Sequence, residues 1–322
     1  MTLEFTHRAM GCEFRLLLCG QRQQALYDTA VEVWELVDAL DGQLSHYNKR
    51  SEISYINATA WREPVLVEPA LFQLLHYARD MWVLTDGALD VTMGPLALAW
   101  GFFSGDVAEP PPGAIDQARA LCGMEHVTLD PDQRLIALDR QGVRIDLGAL
   151  GKGYTIDRAV ELLRERGVQA GFLSAGGSSA FGYGLAGGWP VRVADPYHPD
   201  REPSVVHLDD QAVSTSGPAE QSVTAGGVRR SHLIEPKTGE PSGSDVTATV
   251  IAPTALEAEA LSTPVALRVT ADLQPNWLLS YLARAPDVRV MIVEPGDEAT
   301  RTVELSLGQQ GVVVRNEKTS KL

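Results

Sequence analysis

Cysteine is scarce: Cys12, Cys19 and Cys122 are the only three in 322 residues. Their number is odd and their spacing matches no metal motif, which fits reduced thiols whose default role is core packing. Positive charge is scarce as well. Lys and Arg number 27 against 42 Asp and Glu, a formal net charge of −15, so neither nucleic acid nor an anionic membrane surface suits the chain as a general partner. No run of eighteen apolar residues occurs, which excludes a membrane-spanning helix segment. The stretch Met1 to Arg8 alternates like a strand and lacks the basic start and apolar run of a secretory signal. The expected location is therefore cytoplasmic. Ser320-Lys321-Leu322 matches a peroxisomal address, but so short a match arises by chance, and we read it as coincidence.

What the chain has in quantity is apolar residues, 44% of the total, enough for a real core in one large domain or two modest ones. Helical spacing marks Gln21 to Leu44, where Leu26, Ala30, Val33, Val37 and Leu40 share a face, and Pro69 to Thr85, with proline at its start. Ser51 precedes Ile53 and Ile56 as a helix cap would. Leu256 to Leu261 reads as a helix stopped or kinked by Pro264, and Trp277 to Ala285 as another helix. Strands are expected at Glu13 to Cys19, Val65 to Val67, Gly171 to Ala175, Trp189 to Ala194, Ser204 to Leu208, Arg229 to Ile234, Val246 to Ile251, Val288 to Val293 and Val303 to Leu307, and Ala212 to Ser216, ending at Gly217, reads as a small-residue corner. Val127 to Leu129 and Leu135 to Leu138 form a hairpin around Asp130-Pro-Asp-Gln133, with Val143 to Ile145 as its next strand. A polar tail covers residues 316–322. Hairpins and helices without strict alternation argue for an α+β fold.

Two passages stand out for chemistry. From Val143 to Asp157 an apolar strand ends on Asp146 and passes through Gly148, Gly151 and Gly153 into a helix. Glycines allow close backbone approach, and a helix start offers N–H groups suited to phosphate, with Lys152 adding charge. Taken alone, such a turn is more often a tight strand-to-helix connection that binds nothing. The segment Thr85 to Phe102 is apolar yet punctuated by Gly87, Gly94, Pro95 and Gly101, an irregular passage that either holds a ligand or packs as a loop.

Taken in order, Met10-Gly11, Leu44-Ser-x-Tyr47 with Ser51-Glu52, Asp86-Gly-Ala-Leu-Asp90, Trp100-Gly-Phe102, Asp146-Leu-Gly-x-x-x-Lys152-Gly153, Gly176-Gly177, Thr215-Ser-Gly217, His232-x-x-x-Pro236-x-Thr-Gly239 and Ala260-Leu-Ser-Thr263 resemble the ApbE family. The resemblance runs from Met10 to about Val293. It implies one ApbE-like (T-fold-like) domain over residues 1–315, two-lobed, with mostly antiparallel sheets and FAD in the cleft between lobes. The implied activity is magnesium-dependent transfer of FMN from FAD to a Thr or Ser hydroxyl of a target flavoprotein, with AMP leaving. Hydrolysis of FAD to FMN and AMP, or FAD binding without catalysis, are the alternatives.

The resemblance also implies residue roles. His232 matches the family's catalytic histidine, and an imidazole suits a general base near neutrality. Met10, Tyr47, Ala88, Leu89, Asp90, Asp146, Lys152 and Leu233 match or adjoin positions that hold the flavin nucleotide, although Met10 and Leu89 would serve equally as core. Mg²⁺ is expected on the carbonyl of Ala149 and on Glu259, Ser262 and Thr263, all oxygen donors as a hard cation requires. Here Glu259 stands where the family's usual residue is Asp, and the extra methylene lengthens the side chain by about 1.5 Å. Pro218, Glu235 and Ser178 are further departures from the family pattern.

Overall fold

A computed structural model describes residues 1–20, 22–103, 107–218, 222–225, 228–296, 300–309 and 311–318. Ser320-Lys321-Leu322 lies outside the described residues. In chain order the elements are β1 (Thr2–Ala9), β2 (Cys12–Cys19), α1 (Gln23–Leu44), α2 (Glu52–Thr59), β3 (Val65–Leu66), α3 (Pro69–Leu84), α4 (Gly94–Ala99), α5 (Ala114–Arg119), β4 (Val127–Asp130) and β5 (Leu135–Leu138). There follow α6 (Gly151–Glu165), β6 (Ala170–Ala175), β7 (Ser179–Tyr183), β8 (Trp189–Val193), β9 (Ser204–Leu208), β10 (Gln211–Ser216), β11 (Ser222–Ala225) and β12 (Val228–Ser231). The chain closes with β13 (Thr247–Ala252), α7 (Ala255–Arg268), α8 (Asn276–Leu282), β14 (Arg289–Glu294), β15 (Arg301–Gly308) and β16 (Gly311–Lys318). Among the described residues no helix is long and apolar enough to cross a membrane.

The chain divides into two compact units. The first comprises residues 1–41, 150–217 and 245–322, the second residues 42–149 and 218–244.

The first unit is built on a nine-stranded sheet in the order β1-β2-β6-β7-β10-β13-β14-β15-β16, and all its pairings are antiparallel. Every residue of β13 is buried, as expected of a strand covered on both faces. Trp189 and Leu208 of the β8–β9 ribbon pack against Ala180, Val213 and Ile251, while α7 packs on β10 and β13. The starts of α6 and α7 are tied together. Asp157 on α6 accepts hydrogen bonds from the N–H groups of Ala255 and Leu256 at 2.7 and 2.9 Å. Thr254 caps α7 by accepting from Glu257 N–H.

The second unit carries the short sheet β3-β5-β4 and the helices α2 to α5. Ile53, Ile56, Leu71, Phe72, Leu75, Leu89, Leu96 and Trp100 are among its fully buried side chains.

The α+β reading and the antiparallel sheets agree with this architecture, and six local expectations change. Ala212 to Ser216, expected as a corner, lies in strand β10, paired on both sides with β7 and β13. Helix α7 runs through Pro264 instead of stopping there: the proline removes one backbone bond, but Leu261, Val265 and Ala266 are buried around it and hold the helix. Val143 to Ile145 forms no strand, only a single parallel bridge between Arg144 and Met93, because Asn57 takes both the N–H and the carbonyl of Ile145. Gly94 to Ala99 within the irregular passage is helical. The expected strand Arg229 to Ile234 is confined to Val228–Ser231, paired with β11. The expected polar tail instead begins inside β16, which pairs with β15 along its length.

Candidate active site

In the first unit, motifs far apart in sequence meet at one end of the sheet. Met10-Gly11 turns β1 into β2 and Gly176-Gly177 turns β6 into β7, all four residues in the left-handed region. The turns are neighbours because β2 pairs with β6, Phe14 opposite Ala175. For Met10, φ is +50°, a conformation an L side chain adopts at a cost of about 1 kcal/mol or more. Its Sδ accepts from Thr155 Oγ1 on α6 at 3.5 Å.

Lys152 lies in the first turn of α6, and its Nζ pairs with Glu259 Oε1 at 2.7 Å. The other carboxylate oxygen accepts the N–H of Gly153 at 2.6 Å. Glu259 is 5% exposed and Lys152 25%. On α7, Ser262 and Thr263 follow Glu259 at the three- and four-residue spacing that places them on one helix face. A chain of hydroxyls surrounds them: Ser216 to Ser262 at 2.8 Å, Ser216 to Thr263 at 3.3 Å, and Ser179 to Ser214 at 3.2 Å. Gly153 is explained here by packing and not by a ligand. A Cβ at this position would meet the Ala255 carbonyl oxygen at 2.4 Å, so glycine allows α6 to touch α7.

In the second unit, Asp146 is fixed by two donors to one oxygen, His46 Nδ1 at 3.0 Å and Gly148 N–H at 2.9 Å. Tyr47 is 65% exposed and lies beside the His46 ring, with Phe103 completing a cluster of three rings. Asp90 accepts from the N–H and hydroxyl of Thr92 through the same oxygen. Burial outweighs these bonds and pushes its carboxyl up to about 6. Asp90 lines a cleft of about 480 Å³ with Trp82, Asp86, Arg119, Cys122 and Lys237. The motif from His232 to Gly239 packs against the same region: Trp100 Nε1 donates to the Gly239 carbonyl at 2.8 Å, Arg119 donates to the Lys237 carbonyl at 2.9 Å, and Lys237 pairs with Asp86. His232 is half-buried, and Leu233 is buried.

The ApbE family pattern matches residues 10–278, most of the chain. The chain belongs to the ApbE family. It is 32% identical over 264 residues to the FAD:protein FMN transferase of Salmonella typhimurium, covering 80% of this chain and 75% of that protein. Against the FAD:protein FMN transferase of Escherichia coli K12 the identity is 32% over 299 residues, covering 90% and 84%. Among solved structures, the ApbE protein of Thermotoga maritima superposes with a TM-score of 0.82 at 27% identity, covering 99% of this chain and 98% of that one.

The residues implied by ApbE membership divide between the units. Met10, Lys152, Glu259, Ser262 and Thr263 belong to the first, and Tyr47, Ala88, Leu89, Asp90, Asp146, Ala149, His232 and Leu233 to the second. Ala88 and Leu89 are buried in the core of their unit. Among the described residues no three His, Cys, Asp or Glu side chains gather as a metal cluster. The first unit's donors are oxygens with a single carboxylate, a set that fits a hard cation in kind. That carboxylate is shared with Lys152, so a cation bound there competes with the ammonium for Glu259 Oε1. Sequence reasoning assigned no role to His46, Ser179, Ser214, Ser216 or Phe103. His46 is the unassigned position inside Leu44-Ser-x-Tyr47 and Ser216 the centre of Thr215-Ser-Gly217, so the motifs themselves held the signal for both.

Proposed function

We propose that this chain transfers the FMN part of FAD to a Thr or Ser hydroxyl of a target flavoprotein and releases AMP. The observation that carries the reading is the family match over residues 10–278, which spans Lys152, Glu259 and the hydroxyls of α7 as well as the histidine motif. In the transfer, the acceptor oxygen bonds to the FMN-side phosphorus, and the bond from that phosphorus to the bridging oxygen breaks. AMP leaves with the bridging oxygen, and the hydroxyl proton passes to a base, for which His232 is the candidate. Lys152 supplies positive charge for the diphosphate. Met10, Tyr47, Asp90 and Asp146 are the candidates for orienting the nucleotide, with the backbone of Ala88 and Leu89 and the side chain of Leu233 at its boundary. Glu259, Ser262 and Thr263 would hold Mg²⁺, which when bound neutralises charge on the diphosphate.

The test is incubation with FAD, Mg²⁺ and candidate flavoproteins, following AMP by chromatography and covalent flavin by fluorescence after denaturing electrophoresis. Equal amounts of AMP and labelled protein are expected. AMP with free FMN and no label would make the chain a hydrolase instead. Neither product, across several targets and metals, leaves a non-catalytic FAD-binding protein and overturns the reading.

A further inference from the structure

We propose that His46 is a positioning residue for the flavin nucleotide, acting through Asp146. The inference rests on the reading above, in which Asp146 contacts the nucleotide, and adds to it a residue from the variable position of the Ser45-x-Tyr47 motif.

The geometry is specific. His46 is 13% exposed and Asp146 20%, and the imidazole Nδ1 lies 3.0 Å from Asp146 Oδ1. A carboxylate only accepts, so Nδ1 is the donor. The other ring nitrogen, Nε2, is buried and has no hydrogen-bond partner among the described residues. An unpaired buried polar atom is a penalty, and an apolar ring would fill the same space without it. What the histidine provides against that penalty is the bond to Asp146. Together with Gly148 N–H at 2.9 Å it places two donors on one carboxylate oxygen, which sets the rotation of the carboxylate. Asp146 is also held from behind, its own N–H donating to the Val91 carbonyl at 2.7 Å. The second oxygen, Oδ2, is then presented in one orientation to an O–H or N–H donor of the nucleotide. The same ring packs beside Tyr47, at 3.9 Å between centroids, and Phe103, at 4.3 Å, so one side chain sets both the carboxylate and the aromatic face next to it.

Two substitutions separate the hydrogen bond from the packing. His46→Phe keeps a ring in the cluster and removes the donor. His46→Asn removes the ring but keeps an N–H at the distance of Nδ1 from the backbone. FAD affinity is measured by fluorescence titration, with thermal unfolding confirming that each variant is folded, and KM and kcat are compared. The expected results are a loss of FAD affinity of about tenfold in His46→Phe, carried in KM more than in kcat, and recovery to within about threefold of wild type in His46→Asn. In an Asp146→Ala background, His46→Phe is expected to add nothing further. Wild-type affinity in His46→Phe, or an undiminished effect of His46→Phe in the Asp146→Ala background, would overturn the proposal while leaving the proposed function standing. Absence of FAD binding by the wild-type protein would overturn both.

Discussion

In the first unit Lys152 and Glu259 sit on helices α6 and α7, whose starts are joined by Asp157 and by the close approach at Gly153. In the second unit Tyr47, Asp90 and Asp146 sit in turns and extended segments, and neighbouring side chains hold them. The first arrangement ties the candidate site to the stability of the fold, because Glu259 is buried and its charge is balanced by Lys152. The second separates site from stability at two positions: Tyr47 is largely exposed, and the contacts around Asp146 fix an orientation more than a core. In the proposed site, the candidate charged groups therefore stand on regular elements, and the candidates for nucleotide recognition on loops carried by a scaffold.

This contrast can be broken or sharpened by substitution. The largest effect is expected for Lys152→Met, which strands the Glu259 carboxylate with the Gly153 N–H and the Ser179 hydroxyl as partners. A loss of about 3–5 kcal/mol in unfolding free energy is expected, measured by chemical denaturation. Adding Glu259→Gln should recover most of it, since the amide oxygen still accepts from Gly153. A double variant no more stable than the single one would mean that the ion pair does not tie site to fold.

Asp90→Asn comes next and acts with the opposite sign. The Asp90 carboxyl is raised to about 6 in the folded protein, chiefly by burial, so the folded state binds the proton more tightly than the unfolded one. Its contribution is fully present below the unfolded value near 4 and is lost as pH rises through about 6. Asn keeps the acceptor for Thr92 and has nothing to ionise. At pH 7.5 the variant should exceed wild type by about 2–3 kcal/mol, and the gain should disappear near pH 4. Denaturation at both pH values decides this, and equal gains at the two would sink it.

The smallest effect on the fold is expected for Tyr47→Ala, within about 0.5 kcal/mol in unfolding free energy. FAD affinity in the same variant should fall by about three- to tenfold through loss of a stacking face. A large loss of stability with unchanged FAD affinity would reverse the assignment of Tyr47 from ligand contact to structure.

Much of the fold was readable from local pattern. The spacing of Leu26, Ala30, Val33, Val37 and Leu40 marks α1, and all five are buried. Six strands of the large sheet, β1, β2, β6, β13, β14 and β15, are legible because alternation and β-branched runs are local properties. Where local rules failed, tertiary packing had overruled them. Pro264 breaks a helix in isolation but not one surrounded by buried neighbours. Val143 to Ile145 looks like a strand until Asn57, 88 residues away, takes its backbone groups. Asn316 to Lys318, read as the start of a tail, are the end of β16 and owe their place to pairing with β15.

By itself the sequence determined the ordered set of motifs, the helical spacing that puts Glu259, Ser262 and Thr263 on one face, and the family to which the chain belongs, because these depend on residue identity and on periods of a few residues. The tertiary structure alone decided which distant groups share their charges and hydrogen bonds. His46 and Asp146 are 100 residues apart in the chain, and Gly153 and Glu259 are 106. No local rule links such pairs. Only sheet register and helix packing bring Glu259 to Lys152 and give Gly153 its reason, a contact with α7 too close for any side chain.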